Sequence, residues 1–391
     1  NTLTGSAGDD TLVGDANDTT NIDGGAGDDT ITGGSDFETI NGGDGDDIIS
    51  GGAGADVVSG DAGDDEITLG VATKSADGGA GDDTVVAAGN LLFGSTVTGG
   101  AGTDTISVDA GVSAANASVV SGFETLVISD DGTLALANFG NNTFSTVSVG
   151  ALAATTITGV GSQTIQVTDA MTGDLTVTKT STSGSADALA IEFASENGIT
   201  ATQDIVAAGV ETINLALTDA DTDTDDVNTV LLTVAAATTL NVTGDQGVTF
   251  DGSGDISKVT TFNASGVTLA AVTYTGVTYA ATYNTVGGVT TITGSNGVDN
   301  LSGAANTNDT ISGGAGADTL VYTGGSDNFT GGAGVDSFDV NAVSTTSGLV
   351  IADASNGDIL DLAGLLGGLA HLVEQGIETT GRGLRYRKSV V

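Results

Sequence analysis

The chain has 391 residues and a formal charge of −44, from 51 acidic residues against seven lysines and arginines. Such a field repels nucleic acid and anionic membrane surfaces, and it strains a compact fold by self-repulsion unless cations bind. There is no cysteine, so disulfides, thiolate metal sites and cysteine nucleophiles are excluded, and a single histidine, His371, cannot form a His-Glu-x-x-His protease centre. No apolar run approaches the roughly 18 residues of a membrane-spanning helix. High acidity with few aromatics also suits disordered chains. Abundant Val, Ile, Leu and Ala and a slightly positive mean hydropathy argue instead for a packed core. Proline is absent throughout, which suits stacked strands that must each donate their N–H groups. The chain opens on Asn1 with no charged-then-apolar leader, which reads as an internal or C-terminal piece of a longer protein.

A first block, residues 1–107, repeats the nine-residue phrase Gly-Gly-x-Gly-x-Asp-x-U-x, where U is a large apolar residue. Full matches begin at Gly24, Gly42, Gly51, Gly78 and Gly99; Gly5, Gly33 and Gly60 head near matches and Gly14 a poor one. One degenerate unit, Leu69 to Asp77, interrupts the series. Residues 108–293 have another texture, rich in Thr, Val and Ala, with alternating runs such as Glu124–Ser129, Ser145–Val149, Gln163–Thr168 and Asp174–Thr178. Alternation of this kind predicts strands with one buried face and a Thr-rich outer face. A motif Gly-U-Glu-Thr-U-x-U recurs at Gly122–Ile128 and Gly209–Leu215, with an echo at Phe37–Ile40 inside the first block. Many short strands and hardly any helix fit a solenoid or a β-sandwich. The shared motif and the flanking repeats favour a solenoid with longer, less regular coils.

A second repeat block and its closing strands occupy residues 294–365, with units at Gly294, Gly303, Gly313, Tyr322 and Gly331; those at Gly313 and Gly331 are full matches. Residues 366–391 form an atypical tail. Leu362 to Val373 is expected to be a short helix, and Arg382, Arg385, Arg387 and Lys388 place four of the seven basic residues in the last ten positions. A solvated basic tail and a foreign or frame-shifted terminus both fit that composition.

The nonapeptide is the repeat of calcium-binding parallel β-helices. Its glycines allow backbone angles closed to bulkier residues, so carbonyl oxygens converge on a point. The sixth-place Asp adds a carboxylate to that point, and the eighth-place U residue begins a strand that points into the core. Two nonapeptides make one coil, and coils stack at roughly 4.8 Å. A calcium ion between stacked turns then finds the several hard oxygen ligands it prefers, in a cage too loose for Mg²⁺. The expected calcium residues are Gly25, Gly27 and Asp29; Gly43, Gly45 and Asp47; Gly52, Gly54 and Asp56; Gly79, Gly81 and Asp83; Gly100, Gly102 and Asp104; Gly314, Gly316 and Asp318; and Gly332, Gly334 and Asp336. Near matches add Asp10, Asp65, Asp299 and Asp327. Fifth-place acids (Asp9, Asp28, Asp46, Asp64, Asp82) are expected to face water and add only to the long-range field. End sites, lacking a stacked partner, are expected to be weak or empty. Asp219, Asp221, Asp223, Asp225 and Asp226 imitate the start of a helix-loop-helix calcium loop, but Val230 stands where that loop needs Glu, so a solvated loop is the better reading.

The repeats resemble those of repeat-in-toxin (RTX) proteins exported by Gram-negative bacteria. Thr307 to Asp339, the Gly-Val-Glu-Thr-Ile-Asn-Leu segment and the Thr-rich middle are similar to the Caulobacter-type surface-layer (S-layer) proteins. That resemblance covers most of residues 1 to about 365 and stops near Gly367. It implies an all-β, right-handed parallel β-helix whose calcium-binding coils flank a less regular Thr-rich solenoid. It also implies a structural, non-enzymatic protein that assembles with copies of itself in a calcium-dependent lattice outside the cell. Export by a type I secretion system is implied too, as is attachment to lipopolysaccharide through an N-terminal domain not contained in this sequence. Two other classes stay open: an RTX adhesin, and the carrier or β-helix part of a secreted enzyme acting on polysaccharide. Against an enzyme, Trp is absent, only five Tyr are present for sugar platforms, and Lys74, Lys179 and Lys258 are the only basic residues of the solenoid.

Overall fold

The computed structural model describes the chain except residues 17, 88, 181–186, 195–198, 200–203, 219–226, 251–254, 257, 260, 268–290, 295–297, 303–307, 323, 341–347, 355–356, 362–377, 381–382 and 386–391. The acidic run Asp219–Asp226, the expected helix from Leu362, His371, Arg382, Arg387 and Lys388 therefore lie outside the described residues. Two compact units are formed, residues 1–166 with 175–181, and residues 167–174 with 182–391.

In the first unit, one parallel ladder stacks Thr2–Thr4, Asn21–Ala26, Thr39–Asp44, Val57–Ala62, Ser75–Ala80, Thr96–Ala101 and Val120–Ser121. A second stacks Thr11–Val13, Thr30–Thr32, Ile48–Ser50, Glu66–Thr68, Thr84–Val86, Thr105–Val108, Thr125–Ile128 and Thr146–Val149. The chain alternates between the two ladders, so each nonapeptide is half a coil. The eighth-place residues form the core because strand side chains alternate between faces. Leu12, Ile31, Ile49, Ile67, Val85, Ile106, Leu126 and Val147 stack in register and are buried. Ile22, Ile40, Val58, Ala76, Val97 and Val120 do the same on the facing ladder. The degenerate unit keeps this register: Lys74 and Ser75 amides bond the Asp56 carbonyl, and Leu69, Thr73 and Ala76 are buried.

The Thr-rich middle is also solenoid. Gly132–Ala135, Thr155–Val160 and Leu175–Lys179 pair in parallel within the first unit. In the second unit, Ala188–Ala194, Thr212–Thr218, Thr239–Gly244, Thr261–Val267 and Thr291–Thr293 continue in parallel into the repeat strands Thr310–Ala315, Asn328–Ala333 and Val350–Ile351. Sandwich sheets of the kind considered are antiparallel, so these parallel registers decide between the two expected folds. The facing ladder of the second block joins Asn300–Ser302, Thr319–Tyr322, Ser337–Val340 and Ile359–Asp361, with Leu301, Leu320 and Phe338 buried in a column. Helix is confined, among the described residues, to the single turn Ala114–Ala117 and the 3₁₀ turn Leu136–Phe139. In the tail the pattern changes: Glu378–Thr380 and Gly383–Arg385 pair antiparallel, and Leu384 meets Ile351 antiparallel.

Candidate metal centres

Each repeat turns through two glycines before it re-enters a strand. Gly43 and Gly45 have φ of 122° and 129°, a region that a Cβ disfavours. Gly25, Gly27, Gly52, Gly54, Gly79, Gly81, Gly100, Gly102, Gly314, Gly316, Gly332 and Gly334 share that conformation, with φ between 78° and 157°. The first-place glycine answers a different need. Asp47 Oδ2 and the Gly60 carbonyl oxygen of the next coil converge on Gly42, where a methyl would overlap the carboxylate and lie 2.6 Å from that carbonyl. Gly24, Gly60, Gly78, Gly99 and Gly313 each face the same pair, their own repeat's Asp Oδ2 and the next coil's glycine carbonyl. These first-place glycines line the sites, although sequence reasoning counted them only as turn residues. The doubled Gly-Gly was the available signal.

The sixth-place acids are held in columns by backbone amides. Asp29 Oδ1 accepts from the Asp10 amide at 2.7 Å, Asp47 Oδ1 from Asp29 at 2.8 Å, and Asp65 Oδ1 from Asp47 at 2.8 Å. Asp83 Oδ1 accepts from Asp65 and Asp104 Oδ1 from Asp83, both at 2.9 Å. Glu124 Oε2 accepts from Asp104 at 2.9 Å and carries the column into the non-repeat region. On the opposite corner a short column pairs Glu38 with Asp56, whose Oδ1 accepts the Glu38 amide at 2.9 Å. The second unit repeats this plan with a long column, Asp299, Asp318, Asp336 and Asp358, and a short one, Asp309 and Asp327.

In ten of these acids one carboxylate oxygen is left over. Oδ2 of Asp29, Asp47, Asp56, Asp65, Asp83, Asp104, Asp318, Asp327 and Asp336, and Oε1 of Glu38, are buried with no hydrogen-bond partner. These nine aspartates are at most 2% exposed, so water does not compensate the charge. Burial raises the affinity of Asp65 and Asp327 for a proton to a pKa of about 7, and that of Asp83 and Asp318 to about 6. Neighbouring carboxylates push these four further in the same direction, and backbone hydrogen bonds oppose it. Burial is likewise the first cause of the upward shifts at Glu38, Asp47, Asp56, Asp104 and Asp336. A buried charge without a partner costs several kcal/mol, and these ten oxygens, six of them facing a glycine carbonyl of the next coil, need positive charge.

The donor set says which cation fits. Among the described residues no three acidic or imidazole side chains converge on one point. A cation there takes most of its ligands from backbone carbonyls and one or two from carboxylates, the hard-oxygen set that suits Ca²⁺. Asp10 stands apart: it is partly exposed, and its Oδ2 accepts from the Ser6 amide at 2.7 Å and the Ser6 hydroxyl at 2.9 Å. Asp299 is buried in its column.

Residues 1–19, 21–37, 32–67, 95–112 and 304–338 match the family of the RTX calcium-binding nonapeptide repeat (4 copies). The chain carries RTX calcium-binding repeats. No curated protein matches the chain. The matched stretches leave out residues 68–94, yet Asp83 stands in the RTX column between Asp65 and Asp104 with the same geometry. Proteins with RTX repeats are typically secreted, and no helix among the described residues is long and apolar enough to cross a membrane.

Two corrections concern the acids. The fifth-place carboxylates do more than add to the field: Asp9, Asp28, Asp46 and Asp64 accept from the amides of Asp28, Asp46, Asp64 and Asp82 at 2.7–3.1 Å, and Asp82 accepts from Thr103 at 2.7 Å. This exposed ladder runs opposite to the buried one, since here the later coil donates to the earlier. Sequence reasoning also missed Glu38, Glu124, Asp309 and Asp358. Glu38 and Glu124 belong to the Glu-Thr-U motif, in which Glu takes the Asp place. At Glu211 the motif recurs, its Oε2 accepting from the Asp187 amide at 3.0 Å while Asp187 Oδ2 is buried without a partner. Asp309 was hidden by one extra residue in its unit, and the Asp-Thr-Ile that follows the turn was the signal.

Proposed function

We propose that this protein is a non-enzymatic structural component of a calcium-dependent surface layer on a Gram-negative bacterium. Calcium drives its folding and its assembly with copies of itself after secretion. The observation that carries the calcium part is the set of ten buried, unpartnered carboxylate oxygens in the RTX columns. Extracellular calcium modules bind at roughly 10⁻⁴ to 10⁻³ M, so such sites are empty in the cytosol and filled outside. A chain without disulfides or proline then threads unfolded through a type I exporter and folds where calcium is plentiful, since metal binding supplies folding free energy.

The surface-layer role is supported by the resemblance over Thr307 to Asp339 and by the distribution of sites. They lie in both units, so calcium orders the body of the protein rather than a detachable tail. The test is electron microscopy of the full chain in millimolar calcium and in chelator. Ordered two-dimensional sheets that dissolve on chelation support the lattice. Monodisperse particles in both conditions refute it and leave the adhesin reading. Turnover of acidic polysaccharide by the purified chain overturns the non-enzymatic reading.

A further inference from the structure

The two ends of the acid columns are built differently. At the first coil Ser6 satisfies Asp10 Oδ2, the oxygen left unpaired in later coils. At the end of the second block a carboxylate is added instead. Gly313 faces its own Asp318 and the Gly331 carbonyl of the next coil, but the nearest neighbours of Gly331 all belong to Asp336. The next strand, Val350–Ile351, is in register with only Asn328 and Phe329 of the repeat strand Asn328–Ala333, and the Ala352 amide still bonds the Phe329 carbonyl at 2.8 Å. Asp353 fills the gap: Oδ1 accepts from the Gly331 amide and Oδ2 from the Gly332 amide, each at 2.8 Å. Elsewhere a first-place amide bonds a strand carbonyl of the next coil, as Gly33 does with Ser50 and Gly294 with Ser312, each at 2.8 Å.

We propose that Asp353, which lies outside the nonapeptides, completes a divalent-cation site with Asp336 at the end of the second repeat block, in place of the backbone oxygens that a following coil supplies elsewhere. The inference rests on the calcium reading above. Asp336 is 1% exposed and its Oδ2 has no partner. Each Asp353 oxygen uses one lone pair on an amide and keeps another for a metal. Two carboxylates near one glycine corner, with burial and the charges of Asp358 and Asp353 all disfavouring the Asp336 anion, require a counter-charge. More anionic ligands tighten a calcium site, so this end site is stronger than the interior ones. That reverses the expectation that end sites are weak or empty.

The test is calcium titration of the full chain by calorimetry, for wild type and Asp353→Asn. The expected result is one fewer bound ion in the variant, lost from the tightest class. A residue that only caps the ladder would lower stability without changing that count. An unchanged number and affinity of ions in Asp353→Asn overturns the proposal, whereas a wild-type chain that binds no calcium overturns the calcium reading itself. Should the variant not fold, a crystal structure of the wild-type chain with calcium decides. An ion within roughly 2.3–2.6 Å of an Asp353 oxygen supports the site. An ion on Asp336 with Asp353 bonded only to the two amides refutes it.

Discussion

Without calcium, the stability of this protein should rise as the solution is made mildly acidic, and with calcium it should fall. Asp65 and Asp327 are pushed from 3.8 to about 7 in the folded chain, first by burial and then by neighbouring carboxylates. Both carboxyls therefore hold protons more tightly when folded than when unfolded. Their stabilising protonation is complete below the unfolded value and is lost as pH rises through about 7. The rise from 3.8 to about 7 is worth about 4 kcal/mol for either residue. Calcium inverts the sign, because it binds only the ionised carboxylates and protons compete with it. The assay is circular dichroism at about pH 5, 6, 7 and 8, reading the folded fraction in chelator and the urea midpoint in millimolar calcium. General relief of charge repulsion also favours the acid side, so Asp65→Asn and Asp327→Asn are run in parallel; each should flatten the chelator profile. A chelator profile that is flat or rises with pH, or one that the two variants leave unchanged, would refute the reasoning.

Four other outcomes follow from the same geometry. In calcium, Asp65→Asn should lose one ion and destabilise the fold, whereas in chelator it should raise the folded fraction, because the amide removes a buried charge and can donate to the Gly78 carbonyl near Gly60; calcium titration and urea midpoints in calcium read the first, circular dichroism in chelator the second. Gly42→Ala should cost about 1–3 kcal/mol by overpacking against Asp47 and the Gly60 carbonyl, and should weaken the adjacent calcium site. Ile67→Ala, in the fully buried column, should cost about 2–5 kcal/mol in calcium without changing the number of ions bound. Asp46→Ala removes the exposed acceptor of the Asp64 amide and should cost about 1 kcal/mol in calcium, measured by hydrogen exchange of that amide.

Much of the site was legible because the repeat couples three residues within nine positions. Glycines at the second and fourth places, Asp at the sixth and an apolar residue at the eighth report a local turn, and local turns are written in local sequence. Asp29, Asp47 and Asp318 could be named from that spacing alone. Residues that enter the columns through another phrase were harder to see. Glu38 and Glu124 take the Asp place with one more methylene, and Asp309 sits one residue out of step, so a fixed template passes over them. The parallel course of the Thr-rich middle was also undecided in sequence, because alternation marks a half-buried strand and is silent on the direction of its neighbour.

By itself the sequence determined the coil: the glycine corners, the inward apolar residue, the carboxylate at each turn and the preference for a hard cation. Only the tertiary structure decided what each carboxylate meets. Stacking joins residues 18 to 21 positions apart, so it alone reveals that in Asp29, Asp47, Asp65, Asp83, Asp104, Asp318 and Asp336 one oxygen takes the amide of the preceding coil while the other has no hydrogen-bond partner. It also shows the fifth-place acids stitching coils in the opposite sense, and Asp353 closing a column from beyond the repeats. The reason is physical. A turn is set by the angles of its own residues, whereas a charge's partner is set by whichever backbone the fold lays beside it.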